Sequence, residues 1–146
     1  MKKIIMLVVL IVVVPLSSSL AFFGGETFYV IFEKAPNIIN DKVISKNFKI
    51  GDIKKKELGR DNMVKVTIKI DETYVGMIQT NGVFLADNGR LTYETVGRGY
   101  GSLPQKSKIL GFANKPAFLW FKTRYHLKKF SDAAIEKAEE LYLKFK

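Results

Sequence analysis

The hydrophobic and polar positions divide the chain into three regimes. An unbroken apolar run, Ile4 to Val14, follows two lysines, and Pro15, Leu16, Ser17, Ser18, Ser19, Leu20, Ala21, Phe22 and Phe23 come after it. From residue 26 short apolar runs are separated by turn residues. Phe28-Tyr29-Val30-Ile31-Phe32 reads as an aromatic, β-branched strand that ends at Ala35-Pro36-Asn37. Asn40-Asp41 is a turn signal before a short strand, Lys42 to Ser45, and Asn47 marks a second turn. Phe48, Ile50 and Ile53 mark another strand, with Gly51 as a bulge or close backbone approach. Arg60-Asp61-Asn62 reads as a hairpin loop. Val64, Val66, Ile68 and Ile70 then alternate strictly with Lys65, Thr67 and Lys69, the pattern of a half-buried strand. Val83 to Ala86, Leu91 to Val96 and Lys108-Ile109-Leu110 complete the set, with a turn at Asp87-Asn88-Gly89 and a loop at Gly97 to Gly101. Many short strands bounded by turn chemistry predict an all-β core, a barrel or a sandwich.

From Pro116 the period lengthens. Phe118, Phe121 and Tyr125 recur at helical spacing. Ser131 reads as the cap of a second helix with Ile135, Ala138, Leu141, Tyr142 and Phe145 on one stripe. The chain thus divides into an N-terminal apolar segment (1–23), a β-domain (26–112) and a basic amphipathic helical tail (113–146).

Charge sharpens this division. Of a net +10, the last 41 residues carry +6, and between Lys115 and Lys129 there are five basic residues and no acid. Trp120, Phe121, Lys122, Arg124, Tyr125, Lys128 and Lys129 mix aromatic and cationic side chains. That mixture suits a membrane interface, and equally a helix whose aromatics pack on the barrel or a sister subunit while its lysines face water. The N-terminal layout fits an export signal cut after Ser19-Leu20-Ala21, or an uncleaved anchor, since twenty helical residues span about 30 Å. Either way Lys2 and Lys3 orient the remainder to the outer side of the cytoplasmic membrane, among lipids and away from nucleic acid.

Catalytic chemistry has little to stand on. There is no Cys and only one His, His126, with no carboxylate or serine at a suggestive spacing. Gly97-Arg98-Gly99-Tyr100-Gly101 has the glycines of a phosphate loop, but Pro104 follows and no Gly-Lys-Ser/Thr completes it. Lys54-Lys55-Lys56 reads as a solvated strand end. No metal site, cofactor or enzyme activity is expected.

The order of segments from Phe28 to Phe112 resembles the MCE domain of MlaD-type lipid-transport proteins. Phe28 to Ala35 looks like that family's opening strand, Asn37-Ile38-Ile39 its glycine-leucine turn, and Asn40 to Val43 its Gly-x-x-Val step. Asn47-Phe48-Lys49-Ile50-Gly51-Asp52-Ile53 resembles its Gly-Val-x-Val-Gly-x-Val signature, with Asn47 for a customary Gly. Val64 to Asp71, Ile78 through Ala86, Gly89 to Val96, and Leu103 with Lys108-Ile109 look like its later strands. The resemblance implies a seven-stranded β-barrel assembling as a homohexameric ring. It implies a retained single-pass anchor in the inner membrane, with the bulk of the chain in the periplasm. It also implies ABC-type permease and ATPase partners, and a phospholipid or other lipid as cargo. Arg90-Leu91 matches the place of the family's apolar pore pair, so Leu91, and with it Arg90, is expected along the lipid path. The other reading is an exported envelope structural or interaction protein with a β-domain and a membrane-surface basic tail.

Overall fold

The computed structural model describes residues 24–145, without the side chains of residues 126–128. The expected signal or anchor at 1–23 lies outside the described residues. Seven strands form in chain order: β1 (Glu26–Phe32), β2 (Ile38–Ser45), β3 (Phe48–Leu58), β4 (Val64–Ile70), β5 (Gly82–Asp87), β6 (Gly89–Thr95) and β7 (Lys108–Phe112). Two helices follow, α1 (Lys115–Arg124) and α2 (His126–Phe145). The strands close into a barrel in the order β1-β4-β3-β2-β6-β5-β7. Pairing is mixed: β1 runs antiparallel to β4 and parallel to β7, β2 runs parallel to β6, and β5 runs parallel to β7.

The tight turns sit where the sequence puts left-handed residues. Lys46-Asn47 and Asn88-Gly89 each place two consecutive residues at positive φ (49° and 69°, 52° and 77°). Two-residue connections of that hand match the twist of the strands they join. Asp61 and Asn62 do the same between β3 and β4. Gly51 is a close approach: a Cβ there would overlap the Lys69 carbonyl oxygen on the neighbouring β4.

Two cores share the wall of the barrel. Inside lie Phe28, Val30, Phe32, Val66, Ile68, Ile70, Phe84, Leu91 and Tyr93, with their neighbours. Outside β1, β5 and β7 a second core holds Ile31, Val83, Leu85, Leu110 and Phe112 under Phe118, Phe121, Phe130, Ala138 and Leu141 of the helices. Strands beneath the helices are therefore apolar on both faces and read as continuous runs. β4 has no helix over most of its outer face, so its burial alternates as its sequence does, with Val64, Val66, Ile68 and Ile70 buried and Lys65, Thr67 and Lys69 half-buried.

Three sequence expectations are corrected. The second helix does not start at Ser131. It starts at His126, directly after the Tyr125 end of α1, and Ser131 is buried within it because that turn packs on the outer core. The segment Ile78 to Ala86 is not one strand: a 3-10 turn over Glu72–Met77 and a single bridge, Gln79↔Ser102, precede β5. Ile38-Ile39 and the expected turn at Asn40-Asp41 all lie in β2, which starts four residues before Lys42. Among the described residues no helix is long and apolar enough to cross a membrane.

Candidate functional site

Helix α1 begins at Asn114, whose side-chain oxygen accepts from the Ala117 N–H at 2.9 Å, with Pro116 in the first turn. Its inner face buries Phe118 and Phe121, which meet the Phe112 ring at centroid distances of 5.5 and 5.3 Å. Phe121 also stacks edge-on against Phe130 of α2. Each such ring contributes about 1.5–3 kcal/mol through burial. Phe121 is thus a packing residue and is removed from the membrane-facing set, and Tyr125 is half-buried against its ring at 4.6 Å. The outer face keeps Trp120 at 61% exposure with Arg124 one turn on, and Leu119 and Lys122 are exposed elsewhere on the helix. The Arg124 guanidinium sits 5.1 Å from the Trp120 ring. Lys129 is exposed, while the side chains of His126 and Lys128 lie outside the described residues. The structure therefore splits the tail: its aromatics divide between the outer core and the surface, and Trp120, Lys122, Arg124 and Lys129 remain accessible.

Arg90 and Leu91 part company in the same way. Asp87 and Arg90 face each other across the two-residue turn Asn88-Gly89, so the β5–β6 hairpin has no projecting loop. Arg90 is exposed and has no ion-pair partner among the described residues. Leu91 is fully buried in the barrel interior. Period-two geometry forces this: with Arg90 pointing out, the next side chain must point in. Leu91 is a core residue, and the expectation that it lines a path is withdrawn.

Beside Arg90 a mostly polar cleft of about 450 Å³ runs along β2 and β6. Sequence reasoning singled out only Arg90 of its lining. Its inner wall contains Tyr93, whose hydroxyl accepts from the Gln79 N–H and donates to the Met77 carbonyl, both at 3.0 Å. Burial pushes the Tyr93 phenol above its ordinary pKa, against a smaller opposing effect of the Gln79 hydrogen bond. Asn81 is also buried. Its amide nitrogen donates to the Gly97 carbonyl at 3.0 Å, while its Oδ1 has no hydrogen-bond partner. Gly99 lies against that oxygen, at a point where a Cβ would sit 2.6 Å away.

The glycine loop is occupied with its own protein. The Tyr100 N–H donates to Thr80 Oγ1 at 2.9 Å, Gly101 O accepts from the Thr80 N–H at 3.1 Å, and the Tyr100 hydroxyl donates to Asp132 at 3.0 Å. That last bond raises the Tyr100 pKa. A phosphate cradle needs several free N–H groups at a helix start, and this loop offers no such arrangement. Among the described residues no three His, Asp or Glu side chains gather as metal ligands.

A scan against protein-family models finds no match, and no curated protein matches the chain.

Proposed function

We propose that the chain is a membrane-anchored, periplasm-facing subunit that binds and passes phospholipid, working in a homohexameric ring beside an ABC-type permease and ATPase. The carrying observation is the closed seven-stranded barrel, the architecture the MCE resemblance implies, with most of the resembling segments falling on its strands. The barrel interior is filled by Phe28, Phe32, Phe84, Ile68 and their neighbours, so lipid in this reading travels outside the individual barrel, between copies. Shielding acyl chains from water is worth about 0.8 kcal/mol per CH₂ and asks for no catalytic group. Arg90 supports the reading as an exposed cation, without an ion-pair partner among the described residues, able to take a lipid phosphate through two parallel hydrogen bonds. Trp120 with Arg124 one turn on offers an aromatic and cationic pair of the kind that sits at lipid headgroups, and Lys122 and Lys129 add exposed cations on the same tail.

The test is purification of the full chain in detergent, lipid extraction with mass spectrometry, and the mass of the particle. Co-purified phospholipid in a particle several times the 16.6 kDa chain is the expected result. A lipid-free monomer would overturn the reading.

A further inference from the structure

The barrel has an incompletely zipped seam. β3 is 11 residues long and pairs with β4 up to Leu58↔Val64. On its other side the ladder with β2 stops at Lys42↔Asp52. From Ile53 to Leu58, β3 therefore has a ladder partner on one edge only. The first half of β2 leans toward β6, where the register shifts between Ile38 and Val43. Side chains span the gap instead: Lys56 Nζ donates to the Ile38 carbonyl at 3.1 Å and lies 4.0 Å from the Asp41 carboxylate.

A cavity of about 230 Å³ opens in this seam, lined by Pro36, Ile38, Leu58, Val64 and Val66 together with Lys56 and Glu57. Of its apolar lining Leu58 is the exposed member, at 73%, whereas Ile39 turns away from it and lies against Gly89 of β6. The rim is basic. Lys54, Lys55 and Lys56 are all exposed, and the one acid of β3's free half, Glu57, is engaged by Lys65 at 3.0 Å and Lys55 at 3.2 Å.

A free strand edge presents N–H and C=O groups that want a partner. An acyl chain in the seam would leave them unsatisfied, an unfavourable outcome for every group it buries. A second copy's β3 would bring lysine against lysine. What fits is backbone, with an aliphatic side chain for the cavity and carboxylates for the lysines. We propose that the β2–β3 seam is a docking site for an extended acidic segment of a partner protein, which adds a strand along Lys55 to Leu58 and seats one aliphatic side chain in the cavity beside Leu58. The proposal is independent of the lipid reading.

The test uses the full chain in detergent and a synthetic peptide that alternates leucine with glutamate. The peptide should bind and slow amide hydrogen exchange in residues 53–58. Backbone N-methylation of the peptide, replacement of its glutamates by lysine, and the Leu58→Asp variant should each weaken binding by about tenfold or more, as expected for strand addition with a side-chain pocket. Because Leu58 is exposed, that variant keeps the fold, and Lys55→Glu gives a second route to the same loss. No binding at millimolar peptide, or binding indifferent to N-methylation, would overturn the proposal. So would protection of residues 53–58 that appears with protein concentration alone, which assigns the seam to a second copy, or with anionic vesicles alone, which assigns it to lipid.

Discussion

Replacing Tyr93 by Phe isolates one hydroxyl that ties the long connection between β4 and β5 to the barrel. The ring, packed on Phe84 at 5.2 Å, is retained. The lost atom accepts from the Gln79 N–H and donates to the Met77 carbonyl, so both backbone groups lose their partner. A hydrogen bond contributes about 0.5–1.5 kcal/mol net, and a buried orphaned group costs about 1–3 kcal/mol. Met77 and Gln79 are half-buried, so water reaches part of the way in and discounts the larger figure. The expected loss is about 2 kcal/mol. In urea, with a slope of about 1.5 kcal/mol/M, the midpoint falls by about 1.3 M at unchanged slope. The sign with pH follows from burial, which raises the folded-state pKa of Tyr93. Its contribution is complete below the ordinary tyrosine value of about 10 and is lost as pH climbs through the raised folded value. The gap between wild type and Tyr93→Phe should therefore narrow under alkaline conditions. Gly82 supplies a linked measurement. A Cβ at Gly82 would overlap the Tyr93 hydroxyl and ring, so Gly82→Ala should destabilise on its own and combine non-additively with Tyr93→Phe. A Tyr93→Phe loss below about 0.5 kcal/mol, with additive behaviour at Gly82, would refute the anchoring role.

Two further outcomes are expected. Ile68→Asp places an unpaired charge in the barrel interior and should cost several kcal/mol, roughly 3–5, whereas Thr67→Lys on the outer face of β4 should stay within about 0.5 kcal/mol in the same denaturation assay. Equal losses would mean the strand register is wrong. Trp120→Ala and Arg124→Ala should weaken binding to anionic vesicles, measured by flotation, with the Arg124→Ala deficit largest at low salt and shrinking as salt screens the charge, while leaving the unfolding midpoint nearly unchanged because both side chains are exposed. Vesicle binding equal to wild type would separate the helix from the membrane.

The sequence by itself determined the local elements. Strict alternation at Val64 to Ile70 set strand, register and face together, because side chains on a strand alternate and one face of β4 meets water. Asn47, Asn62 and Gly89 announced their turns, since a residue that tolerates positive φ is a local requirement. Tertiary structure decided what depends on partners distant in the chain. Whether seven strands closed as a barrel or stacked as a sandwich rested on the parallel pairs β1–β7 and β2–β6, which no local pattern encodes. Phe121 and Trp120 are adjacent and read alike as interfacial aromatics. Only the position of Phe112 and Phe130 made one a core residue and left the other at the surface. Leu91 went inward because of its place in the hairpin pleat. The open seam at β3 was invisible for the same reason. Lys54-Lys55-Lys56 reads as a solvated strand end in any fold. That its backbone edge lacks a neighbour follows from where β2 turns toward β6, and so from contacts that the intervening sequence does not specify.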